Sequence, residues 1–98
     1  MAVFWQWPDG QRGEVAQAEW VRAVALSFEA AQGLAPHRAP AEAVFICVEG
    51  TIRFVLEGRQ QDLRPGDGVV MRRGDLHAVE PGEAGRALLL LQQGTAEA

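Results

Sequence analysis

Hydrophobic and polar positions along this chain fall into short runs, not into long periodic stretches. From Val24 onward VALSFEA, AVFICVE, TIRFVLE, RQQDL, GVVMR, LHAVE and RALLLLQ are each short and mostly β-branched or apolar, and each is bounded by glycine, proline or acidic residues. Runs of that kind predict strands, and seven of them at close spacing predict an all-β barrel or sandwich. EGTI (49–52) and EGRQ (57–60) stand where hairpins would reverse, and RPGD (64–67) is a turn-forming tetrapeptide between two runs. Side chains alternate faces along a strand, so Cys47 shares a face with residues 43 and 45, and Glu42 points the other way unless a bulge turns it inward.

The N-terminal part is less periodic. GEVAQAEWVRAV (13–24) fits either a helical turn or an extended arm. Phe4, Trp5, Trp7 and Trp20 precede or border the strand-rich part, and a domain this small has trouble burying three tryptophans alone. They are expected either between subunits or in an arm folded across the end of its own barrel. The boundaries that follow are an arm at 1–21, a barrel at 22–92 and a tail at 93–98.

Composition narrows the function. A chain of 98 residues fits one domain with one modest core. No apolar run approaches the roughly twenty residues of a membrane-crossing helix, and MAVFWQWPDG lacks the basic start and cleavage site of a signal peptide. A cytoplasmic protein with no membrane partner is expected. The nine basic residues are all arginine, thirteen acids outnumber them, and the net charge of −4 leaves no cationic stripe for nucleic acid. Without lysine there is no Schiff-base chemistry. Ser27 and Cys47 are the only serine and cysteine, and neither has a histidine nearby in sequence, which argues against covalent catalysis. A lone cysteine also excludes an intramolecular disulfide.

The two histidines stand at instructive places. Counting back from Gly50, a pattern G, five residues, H-x-H, three or four residues, E, six residues, G falls on His37, Ala39 and Ala43. A second pattern, G, five residues, P-x-G, two residues, H, three residues, N, falls on Gly66, Arg72, Gly74, His77 and Pro81. These spacings resemble the two motifs of the cupins, over roughly residues 22–92. The resemblance implies a single-domain jelly-roll barrel with a cavity that a ligand can enter. An immunoglobulin-like sandwich fits the strand count, but it needs paired cysteines and gives the histidines no role.

The usual cupin centre is three histidines and a glutamate around iron, manganese, nickel or zinc, and only His37 and His77 of that set stand here. HRAPAEA (37–43) is similar to a subgroup of small cupins in which small residues replace the second histidine and the glutamate. The expected ligand-binding residues are therefore His37, His77, Arg38, Arg72 and Cys47. Arginines beside the histidines favour an anionic ligand through bidentate hydrogen bonds. The first reading is a barrel that binds a small polar or anionic molecule with no certain cofactor. The alternative is a divalent-metal-dependent enzyme, such as a dioxygenase or isomerase, with metal on His37 and His77 and with Glu42 or water completing the shell. Small cupins are commonly homodimers, and the same association is expected here.

Overall fold

The computed structural model describes residues 4–93, and within them the chain forms nine strands and no helix. In chain order these are β1 (Arg12–Gln17), β2 (Val21–Phe28), β3 (Leu34–Arg38), β4 (Ala43–Glu49), β5 (Ile52–Leu56), β6 (Arg59–Leu63), β7 (Gly68–Met71), β8 (Leu76–Val79) and β9 (Gly85–Gln92). They build two antiparallel sheets, ordered β1-β2-β9-β4-β7 and β3-β8-β5-β6. The all-β architecture and the seven expected strands are thus present. Residues 1–3 of the expected arm and 94–98 of the expected tail lie outside the described residues.

Two strands were not apparent from the hydrophobic pattern. LAPHR carries one strong apolar residue and a proline, so it reads as a loop. It nevertheless pairs with β8, with a register shift between Leu34 and His37 that accommodates Pro36. Proline cannot donate to a ladder, and an edge strand with a bulge is where a sheet tolerates it. The segment from residue 13 left open between helix and arm is extended: β1 pairs with β2 and shifts register between Glu14 and Ala16.

Alternation assembles the core. Ala43, Phe45 and Cys47 of β4 are buried, as are Val24, Leu26 and Phe28 of β2 and Ile52 and Phe54 of β5. Phe45 meets Phe54 across the two layers with ring centroids 4.8 Å apart. Aromatic pairs at that separation add to the free energy of burial itself.

The turns divide into two kinds. Glu57 and Gly58, with φ of 48° and 80°, form a two-residue hairpin in which Leu56 faces Arg59, the geometry that matches strand twist. EGTI does not make the hairpin expected of it. β4 and β5 lie in different sheets, and Gly50 (φ 79°) turns the chain from one layer to the other against Ala84 and Gly85. RPGD also crosses between layers, and RRGD (72–75) repeats its geometry: the Asp67 carboxylate accepts from Arg64 N, and the Asp75 carboxylate accepts from Arg72 N.

Part of the N-terminal segment packs on its own chain. The Trp7 indole donates to Ser27 Oγ at 2.9 Å, and the Arg86 guanidinium lies 5.4 Å from the Trp7 ring centroid. Phe4 and Trp20 stay exposed. Among the described residues no helix is long and apolar enough to cross a membrane.

Candidate functional site

The β3–β8 ladder sets His37 directly opposite His77. Their ring centroids are 4.0 Å apart, and the His77 ring stacks on Phe54 at 5.9 Å with an interplanar angle of 5°. His77 is therefore held between a core phenylalanine and its partner imidazole, and is 7% exposed, while His37 is open to solvent. Each ring places Nδ1 beside the carbonyl two residues earlier: Ala35 O at 3.0 Å for His37 and Asp75 O at 3.2 Å for His77. A carbonyl only accepts, so each Nδ1 carries the proton and the neutral ring keeps its lone pair on Nε2.

Both imidazoles line one cavity of about 280 Å³ between the sheets. Ala43, Met71, Leu89 and Leu91 of the five-stranded sheet also face it. So does Ala39, and all four motif positions, His37, Ala39, Ala43 and His77, thus open on the same space. The RRGD turn fixes this arrangement, because Ala39 N donates to Asp75 O at 3.0 Å and Gly74 N donates to Ala39 O at 2.8 Å.

Arg38 lines the cavity too, and its Nη1 donates to Gly74 O at 2.9 Å. Arg12 and Arg22 line it as well, and the sequence reading missed both. The available signal was weak: once β2 is a strand, Arg22 shares a face with buried Val24 and Leu26. Arg12 enters only through the pairing of β1, which the sequence left open.

Arg72 and Cys47 lie elsewhere. Arg72 follows inward-facing Met71, so alternation sends it outward, where its Nε is 3.6 Å from Glu42 Oε2. Glu42 is turned from the cavity for the same reason, being next to inward-facing Ala43. Cys47 does share the inner face, but four strand residues, or roughly 13 Å, beyond Ala43. It is wholly buried, its thiol donates to Gly50 O at 3.3 Å, and burial pushes its pKa up. A thiol so placed is a core group and not a nucleophile.

The donor set does not fit a resident first-row metal. Such an ion takes three or more protein donors at about 2.0–2.2 Å. Among the described residues no three of histidine, cysteine, aspartate and glutamate converge, and methyl groups occupy the positions at 39 and 43.

Burial holds the His77 pKa below its ordinary 6.5, and His37 adds to the depression, while the Asp75 carbonyl opposes it. A folded-state value below the unfolded one means that the unfolded chain binds the proton first as pH falls. The stability from neutral His77 is complete above 6.5 and is lost as pH drops through the folded value. Urea unfolding at successive pH values should show wild-type stability declining below about 6.5 and a His77→Gln variant with a flatter profile over that range. Asp62, whose carboxylate Arg53 holds below its ordinary 3.8, acts only at lower pH. Identical slopes in the two proteins would rule out this assignment.

With this geometry in view, a family model described as a cupin domain matches residues 26–91, two thirds of the chain. The chain belongs to the cupin family. Solved structures agree on the fold. This cupin superposes on KdgF from Halomonas sp. with a TM-score of 0.79 and 24% identity, covering 95% of this chain and 90% of that one. It matches an RmlC-like cupin with a double-stranded β-helix fold from Methanocaldococcus jannaschii with a TM-score of 0.79 and 10% identity, over 94% and 91% of the two chains. DMSP lyase DddQ from Ruegeria pomeroyi DSS-3 is 26% identical with a TM-score of 0.72, over 83% of this chain and 42% of that one. Among the curated proteins none matches the chain.

Proposed function

We propose that this cupin binds a small polar or anionic molecule in the cavity between its sheets, through His37 and His77. The observation that carries the reading is the pairing of two imidazoles across β3 and β8 on one cavity, each with Nδ1 engaged by a backbone carbonyl. Each Nε2 is then an acceptor for a ligand hydroxyl or amide, and the apolar residues facing the cavity contact its carbon skeleton. Burial favours neutral His77 near pH 7, which suits accepting a hydrogen bond and suits a base as well.

The metal-dependent reading has one observation in its favour. A histidine whose Nδ1–H is held by a carbonyl is oriented as metal ligands usually are. The number of donors tells against it.

Thermal shift with small carboxylates, phosphates and polyols, run beside iron, manganese, zinc and nickel, separates the two. The binding reading expects a compound from the first group to raise Tm, since a ligand at a hundredfold excess over its Kd adds about 2.7 kcal/mol. His37→Ala and His77→Ala should each remove the shift. Stoichiometric metal in protein purified without a histidine tag, lost in the same variants, would transfer the conclusion to the metalloenzyme. No shift with any small molecule would end the binding reading.

A further inference from the structure

We propose that Arg12, Arg22 and Arg38 form an oxyanion clamp at this cavity, and that its ligand is a small hydroxylated acid. The anionic group docks on the guanidinium groups, and the hydroxyls meet the imidazole Nε2 atoms. The inference rests on the reading of the cavity as a ligand site and specifies its chemistry.

The three arginines come from β1, β2 and β3, hence from both sheets, yet all line one space with the two histidines. No aspartate or glutamate among the described residues lines it with them. In a chain where thirteen acids outnumber nine arginines, a third of the arginines thus face one cavity without an acid in its lining. A surface that merely keeps arginines solvated would intersperse the two signs. Among the described residues Glu14, outside the lining, is the one acid paired with any of the three, so positive charge predominates at the opening, which favours anions.

Their pairing is incomplete in the way a ligand site requires. Arg53, elsewhere on the protein, is bound by both oxygens of Asp62 at 2.8 and 3.4 Å. Arg22 has no such partner. Its Nε is buried without a hydrogen-bond acceptor, and the Glu14 carboxylate at 3.8 Å is beyond hydrogen-bond range. That nitrogen is itself out of an oxyanion's reach, but the guanidinium lacks a hydrogen-bonded counter-charge, and the side chain, 41% exposed, can take one from an arriving oxyanion. Arg38 is held in place by the Gly74 carbonyl, which orients the fork without neutralising it. Among the described residues Arg12 makes no ion pair within 4.0 Å.

Planar guanidinium forks match carboxylate and phosphate oxygens in pairs. A volume of about 280 Å³ lies at the small end for ligand pockets, which favours a molecule of a few carbons over a nucleotide or polymer. Met71, Leu89 and Leu91 leave its carbon skeleton an apolar wall, and the histidines supply acceptors for hydroxyls.

Isothermal titration with two matched sets tests the proposal: glycerate, glycerol and glycerol 3-phosphate, then gluconate, sorbitol and sorbitol 6-phosphate. The clamp predicts that an acid or a phosphate ester binds at least about tenfold more tightly than its polyol. Arg22→Gln and Arg38→Gln should each reduce that preference by about tenfold or more, and added salt should weaken it. Arg53→Gln should change nothing, and circular dichroism should find every variant folded. Whether the carboxylate or the phosphate binds better identifies the source of the oxyanion. If polyols bind as well as acids, and only His37→Ala and His77→Ala abolish binding, the clamp is wrong and the cavity reading survives. If no member of either set binds at millimolar concentration, or binding survives both histidine variants, the clamp and the cavity reading fall together.

Discussion

Replacing two alanines should turn this protein into a metal binder: a chain carrying Ala39→His and Ala43→Glu is expected to bind zinc or nickel at least about a hundredfold more tightly than the wild type. Both alanines are 3% exposed and both line the cavity with His37 and His77. Larger side chains there would enter the space that the two imidazoles line, which is the expected basis for a set of three nitrogens and a carboxylate. Orienting partners alone change metal affinity by about 10- to 100-fold, and direct donors count for at least as much. Each single substitution should fall between wild type and the double variant. Glu42→Gln should leave affinity unchanged, because that carboxylate faces Arg72 on the outside. Competition against a chromophoric chelator measures all of these. A folded double variant with wild-type affinity would mean that the four positions do not converge.

The second large effect concerns the turn between the layers. Gly50 and Gly58 have almost the same positive φ, 79° and 80°, so the conformational cost of alanine is nearly equal at the two, about 1–2 kcal/mol. Their surroundings differ. A Cβ at Gly58 meets nothing within 4 Å, whereas at Gly50 it strikes the Ala84 carbonyl and the Gly85 Cα, which are backbone and cannot swing aside. Gly58→Ala should therefore cost about 1 kcal/mol, and Gly50→Ala about 3 kcal/mol or more, a large part of the 5–15 kcal/mol that holds a domain together. Urea midpoints of the two variants decide it. Equal losses would contradict the close approach at Gly50.

How much of this was legible from the sequence depended on whether a residue acts through its own strand or through a neighbour. The parity of β4 placed Ala43, Phe45 and Cys47 inward and Glu42 outward, because alternation is a property of one strand. Motif spacing implied that His37 and His77 share a cavity, and the ladder that joins them runs through β3, a strand disguised by Pro36. What escaped the sequence was pairing between distant segments. EGTI has the composition of a hairpin turn, yet β4 finds its partners in β7 and β9 and passes β5 to the other sheet. Arg12 and Arg22 reach the cavity only because β1 and β2 close the five-stranded sheet over it. Arg72 stood within the second motif in sequence, and the crossover turn carried it away from the cavity.

The most direct test of a ligand cavity built around the histidine pair is nuclear magnetic resonance on uniformly isotope-labelled protein, read at the imidazole rings, the alanine methyls and the backbone amides, and titrated with small carboxylates, phosphates and polyols. The account predicts that a bound compound perturbs His37, His77, Ala39 and Ala43 together, with Nδ1 protonated in both neutral rings. Compounds that bind while leaving these four signals still and moving residues elsewhere, such as those around Arg59 and Gln61, would contradict it.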